Sequence, residues 1–210
     1  MEGGEVMEEI SDWWWHDPQR YKKLNLLGGI IMKRDVKKLT FSAILLSIGF
    51  ILHQIAPAGV GGVTFDFMVA VLLVILAINR DFKISIVAGI AAGIITALTT
   101  KFPGGQIPNM IDKIVTVSVI YPLIRLGKNL PQSIYMGLVG FIGTVVSGSI
   151  FLSSAAFLIG LPAPFQILFL TVVLPTGIGN TFITSLLFRI ALSAIEKVNP
   201  SYAKELKEQK

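Results

Sequence analysis

GVTFDFMVAVLLVILAIN, residues 62–79, decides the class of this fold. After Asp66 it carries no charge, and its apolar residues run on without alternating with polar ones. Alternation would mark a lipid-facing barrel strand, with every second side chain turned to the lumen. A continuous run in lipid satisfies its backbone only as a helix, whose hydrogen bonds close within the segment.

Outward from there the pattern repeats. Apolar segments occupy roughly 39–56, 62–79, 82–100, 111–126, 134–158 and 165–191, bounded by Pro57, by Asn79 to Asp81, by a polar stretch before 111, by Gly127 to Pro131 and by Pro162 to Pro164. Each approaches the ~20 residues that cross a hydrocarbon core. Between Leu39 and Ile195, every charge except Arg189 falls at or near a break. The 210 residues are 53% hydrophobic and 15% charged, with a mean hydropathy of +0.71, whereas soluble domains carry about 25% charged residues. The expectation is an all-α integral membrane protein, a six-transmembrane-helix bundle over 32–195, with an N-terminal tail (1–31) and a charged C-terminal tail (196–210). The chain has no cysteine, which excludes disulfides and thiolate metal sites. Its net charge of +5 is scattered through loops and termini rather than gathered on one face, so no nucleic-acid partner is expected.

Those basic residues read as orientation signals. Lys33, Arg34, Lys37 and Lys38 precede the first segment, Arg80 and Lys83 follow the second, Arg125 and Lys128 the fourth, and Lys197, Lys204, Lys207 and Lys210 the sixth. The alternate connections hold only Lys101 and Lys113. The positive-inside rule then makes both termini cytoplasmic and turns 57–61, 102–113 and 159–164 outward. A cleavable signal over 33–58 is the rival reading. Its apolar run exceeds the ~7 to 15 residues of such a segment, and its removal leaves five spans that no longer start on the basic side.

Residues 1–31 share nothing with the rest: acidic, then rich in tryptophan (Trp13, Trp14, Trp15), then basic. They read either as a cytoplasmic or interfacial tail or as a stretch upstream of a natural start at Met32. In the second reading, the tryptophan codons belong to a leader that senses tryptophan supply.

Ionisable and amide groups in a membrane are costly, about 2.5–3.5 kcal/mol for Asp, Lys or Arg at a helix centre. Here they gather at the outward end: Asp66 opens the second segment, His53 and Gln54 close the first, and FPGGQIPNMIDK (102–113) brings Gln106, Asn109, Asp112 and Lys113 into the fourth. His53 reads as an interfacial polar residue. In LTVVLPTGIGNTF (170–182), Pro175 offers no N–H to the Thr171 carbonyl, and Gly177 and Gly179 loosen the next turn. A broken helix is expected there, with Asn180 beside it. Ser147, Ser149, Ser153 and Ser154 either face the same cavity or bond their own helix. Gly89 with Gly93, and Ala43 with Ser47, are small residues four apart that permit close helix approach, within the bundle or to a partner.

FPGGQIPNMIDK, GTVVSGSIFLSS (143–154) and LFLTVVLPTGIGNT (168–181) together resemble the bacterial tryptophan transporter family TrpP, which is similar to the S components of energy-coupling factor (ECF) transporters. The resemblance covers about residues 32–192. It implies an S-component-like fold, tryptophan uptake, and docking onto an ECF scaffold subunit and two ATPases. It also makes Gln106, Asn109, Asp112 and Lys113 candidate binding residues, with Asn180 and Asp66 less secure.

Tryptophan presents an ammonium, a carboxylate and an indole with one N–H donor. Asp66 or Asp112 suits the ammonium, and Lys113 or the start of the fourth helix suits the carboxylate. Asn109, Gln106 or Asn180 suits the indole N–H. Met68, Met110, Phe65, Phe67 and Phe151 offer apolar walls. Asp112→Asn and Lys113→Ala are then expected to weaken binding more than folding. No cofactor is expected. The chain has no GxxxxGK[ST] motif, so ATP coupling would come from partners. A self-sufficient ion-coupled carrier is the alternative, with Asp66 or Asp112 as the ion site. An intramembrane enzyme is disfavoured: there is no HExxH pair and no glutamate inside the apolar segments.

Overall fold

A computed structural model describes residues 18–126 and 131–208, with side chains from Val36 onward. The chain divides between Thr40 and Phe41, and the packing described below lies wholly in the second unit. The readings of the tail that rest on Trp13 to Trp15 fall outside the described residues, as does Lys128.

Helix follows helix with short connections: α1 (Pro18–Ile55), α2 (Met68–Asn79), α3 (Phe82–Leu98), α4 (Gln106–Leu126), α5 (Gln132–Leu158), a short α6 (Phe165–Leu168), a π-helical turn (Phe169–Val173), α7 (Leu174–Val198) and α8 (Pro200–Glu208). Among the described residues there is no strand, only an isolated bridge between Ala58 and Thr64. Among the described residues, four stretches are long and apolar enough to cross a membrane: Val36–Ile55, Gln106–Ile124, Ile134–Leu158 and Phe165–Val198. Their outer surfaces are apolar, with Ile44, Ile51, Val115, Leu138, Leu170 and Ile190 all exposed, as a lipid solvent allows.

α2 and α3 are apolar but shorter. The segment read as one crossing over 62–79 is a turn and then a helix. Gly61 and Gly62 take positive φ (63° and 82°) and turn the chain, and α2 begins only after Asp66, whose Oδ1 accepts from the Val69 N–H at 3.3 Å. At about 18 Å, α2 falls short of the ~30 Å hydrocarbon core. All twelve of its residues are buried, packed among α3, α4, α5 and α7.

The glycine pair of α3 serves the protein's own bundle. A Cβ on Gly89 would lie 2.7 Å from Val117 Cγ2, and one on Gly93 3.2 Å from the Met110 Cα of α4. Ala43 and Ser47 instead lie exposed on α1, with the serine hydroxyl donating to the Ala43 carbonyl.

The break expected around Pro175 takes a different form. The helix continues through Gly177 and Gly179, and the irregularity lies one turn earlier, where the Leu174 N–H reaches back to the Phe169 carbonyl in a π turn. Pro175 then falls in the first turn of α7, where its missing N–H costs least. A π turn shifts the register of the side chains around it and is frequent beside functional sites. At the opposite end of the bundle, α8 buries Ala203 and Leu206 in the main core, and Tyr202 donates to the Ile78 carbonyl at the end of α2.

Candidate functional site

The polar stretch 102–113 is mostly helix. Gly104, at φ 75°, ends the turn from Lys101, and α4 starts at Gln106 with Pro108 in its first turn, where proline is tolerated. Asn109, Asp112, Lys113 and Thr116 then fall at helical spacings on one face. All four are buried, Lys113 and Thr116 completely. Gln106 points elsewhere and is exposed.

The centre of this face is Lys113. Its ammonium donates to Asp112 on its own helix and to Asp66 in the turn before α2. Asp112 also accepts from Thr116 Oγ1 at 2.9 Å, and Ser147 of α5 lines the same cavity. A carboxylate in this setting is retained only with such partners. Two acids and one lysine leave the cluster one formal negative charge in excess.

Asp66 and Asp112 line a cavity of about 40 Å³ together with His53, Asn109 and Ser147. Val172, Val173 and Thr176, from the π turn and the start of α7, Thr144, Phe151 and Leu152 from α5, and Thr64 and Thr100 from the connections add to the wall. Close approach at Gly148 brings α5 against the π turn: a Cβ there would lie 2.6 Å from Val173 Cγ1. Since roughly 10–15 Å³ of such space holds one water, this conformation has room for a few waters and is too narrow for an indole ring.

Asn180 stands beside the cavity. Its amide nitrogen donates to the Asp66 carbonyl at 2.8 Å and to Thr144 Oγ1 at 2.9 Å, which fixes the turn that carries Asp66. Of the candidate residues, the structure therefore brings Asp66, Asn109, Asp112 and Lys113 together, places Asn180 one contact away and leaves Gln106 outside. Of the expected apolar walls only Phe151 lines the cavity. Met68 packs instead against α1 at Gly49, and Met110 is exposed. Ser149 and Ser154 bond their own helix, whereas Ser147 faces Asp112.

His53 is the residue that sequence reasoning passed over. It is 3% exposed, enclosed by the bundle, and its Nδ1 lies 3.7 Å from Asp66 Oδ1. Neither ring nitrogen has a hydrogen-bond partner. The one signal for it in the sequence was an ionisable ring within an apolar segment.

The family model described as "Tryptophan transporter TrpP" matches residues 35–196. A "Probable tryptophan transport protein" of Clostridium acetobutylicum is 42% identical over 158 residues, 75% of this chain and 92% of the relative. One of Clostridium perfringens with the same description is 42% identical over 178 residues, 80% of this chain and 98% of the relative. One of Bacillus subtilis is 37% identical over 161 residues, 77% and 94% respectively. No solved structure matches the chain.

Proposed function

The chain belongs to the tryptophan transporter family TrpP, a family of transporters and not of enzymes, and from that premise we propose that it carries tryptophan into the cell. It is a multi-pass protein of the cell membrane. The observation that carries the proposal is the buried Asp66, Lys113 and Asp112 cluster at a cavity whose wall also holds His53, Asn109, hydroxyls and apolar side chains.

In this reading the excess negative charge receives the ligand's ammonium at Asp66 and Asp112. Lys113 holds the two carboxylates together, and its third N–H is the donor left for the ligand's carboxylate. Asn180 acts by positioning Asp66. Because the cavity is narrower than an indole, binding separates its walls, and the turn 56–67 with the Lys101 side chain forms the outer cover. Lys101 Nζ donates to the Ala56 carbonyl at 2.6 Å and to the Gln54 carbonyl at 3.2 Å, tying the α3–α4 turn to the end of α1.

For the wider arrangement, we favour six crossings with cytoplasmic termini, α2 completing its crossing together with the turn before it, in a chain that operates as the substrate-binding component of an ECF-type assembly with a scaffold subunit and two ATPases. The exposed Ala43 and Ser47 face of α1 supports a helix-helix contact outside this chain's own bundle. An ion-coupled carrier remains the second reading, favoured by the two carboxylates on the cavity wall. Calorimetry on the purified protein tests the first step: tryptophan binds, and phenylalanine and tyrosine bind more weakly. Tryptophan binding no tighter than phenylalanine overturns the reading. Uptake by the chain alone in liposomes, driven by an ion gradient without ATPases, would replace the ATPase arrangement with the carrier.

A further inference from the structure

We infer that His53 is the residue that reads the indole N–H, and so distinguishes tryptophan from a ligand with the same shape and no donor. The inference rests on the tryptophan reading of the cavity and adds the group that sets its specificity.

The indole N–H is the only polar feature of the tryptophan side chain, and it is a donor. An acceptor must therefore stand on the cavity wall. Of the amides that were candidates, Gln106 is exposed and away from the cavity, Asn180 has a buried Oδ1 without a partner but does not line the cavity, and Asn109 lines it with its amide nitrogen on the Gly105 carbonyl. The carboxylates of Asp66 and Asp112 are held by Lys113 and are needed for the ligand's ammonium.

Of the buried side chains that keep a polar atom without a partner among the described residues, His53 is the one that lines the cavity, and its state is unusual. A buried polar group without a hydrogen bond is costly and is seldom kept without a reason. Here both nitrogens of a buried ring are without a partner on the wall of a cavity. Asp66 Oδ1, 3.7 Å from Nδ1, is too distant for a direct hydrogen bond. It still favours the tautomer that turns an N–H toward the carboxylate. The lone pair then falls on Nε2, and the ring becomes a neutral acceptor fixed by an acidic neighbour. A phenylalanine or benzothiophene ring in the same place would leave that acceptor buried and unmet, which is how a site rejects an isostere that lacks a donor.

The experiment compares tryptophan with 3-benzothienylalanine, in which sulfur replaces the indole N–H, on the full-length protein in detergent. The wild type should bind tryptophan about 10- to 100-fold more tightly than the sulfur analogue. His53→Leu should bind both alike, chiefly through loss of tryptophan affinity, while its thermal unfolding temperature holds or rises because an unmet polar ring has been removed. His53→Gln, which restores an acceptor, should regain part of the preference.

Equal affinity of the wild type for both ligands overturns the inference without recourse to any variant. So does a His53→Leu protein that keeps the preference, or an Asn109→Leu protein that loses it while His53→Leu does not. A wild type that binds no tryptophan overturns the transport reading itself, and that result is distinct from tryptophan binding without discrimination.

Discussion

α2 and α4 lie side by side and bury opposite materials. α2 buries twelve residues of which only the last, Asn79, is polar, whereas the first turns of α4 bury Asn109, Asp112, Lys113 and Thr116. In water the first would be a core and the second an error. In lipid, hydrocarbon side chains gain nothing by leaving the solvent, so apolarity alone does not decide which helix goes inside. Polar groups do gain, because no other place in the hydrocarbon offers them partners. α4 is therefore anchored by its charges, and α2 sits inside because the turn carrying Asp66 ties its first residue to those same charges. The exposed faces of α1, α5 and α7 are as oily as α2, which shows that oiliness is not the cause of its burial.

The comparison breaks most visibly at Lys113. Lys113→Met leaves Asp66 and Asp112 buried without a cation, and removing one partner from a buried ion pair costs about 3–5 kcal/mol. The expected result in detergent unfolding is a loss of that size. Combining Lys113→Met with Asp66→Asn and Asp112→Asn, which removes all three charges together, should recover most of the stability while tryptophan binding stays lost. Tolerance of Lys113→Met alone would mean that the charges do not anchor α4. This also amends the expectation that changes at Lys113 act on binding more than on folding: a lysine with no exposed surface and two internal partners is structural as well.

On the other side of the comparison stands Leu72, fully buried at the middle of α2. Leu72→Ala opens a void, and such truncations cost roughly 2–5 kcal/mol in water-soluble cores. The loss here should fall at the low end, because only packing and no transfer from water is at stake. Tryptophan affinity should be unchanged in calorimetry, since the void lies outside the polar cluster. A marked fall in affinity would show that α2 transmits strain to the site.

The same contrast explains what could be read from the sequence. The apolar segments and their breaks gave the helices, and the cost of charge in lipid drew attention to Asp66, Asn109, Asp112 and Lys113, which the structure gathers. Hydropathy does not tell a buried helix from a lipid-facing one, so the burial of every residue of α2 is not legible in its sequence. Composition also hid the helix start at Gln106: prolines and glycines read as a loop, although Pro108 sits where a helix accepts it. The π turn follows from hydrogen-bond register, which no residue type announces. His53 was missed because a lone histidine near a helix end resembles an interfacial residue, and only the surrounding elements show that it is enclosed.

The smallest expected effect tests the comparison most finely, because it uses one substitution at two equally buried threonines. Thr116 Oγ1 donates to Asp112, and Thr96 Oγ1 donates to the Ala92 and Gly93 carbonyls of its own helix. Both side chains are fully buried, and valine matches each in shape. At position 96 the backbone carbonyls keep their helical N–H partners, so Thr96→Val should cost less than about 0.5 kcal/mol or stabilise slightly. At position 116 the carboxylate loses a donor it cannot replace from lipid, and a hydrogen bond to a charged group is worth about 1.5–3 kcal/mol. Unfolding of the two variants side by side reads the difference directly. Equal losses would mean that Asp112 finds compensation from Ser147 or from water in the cavity, and the cluster would then be a hydrated site rather than a dry anchor.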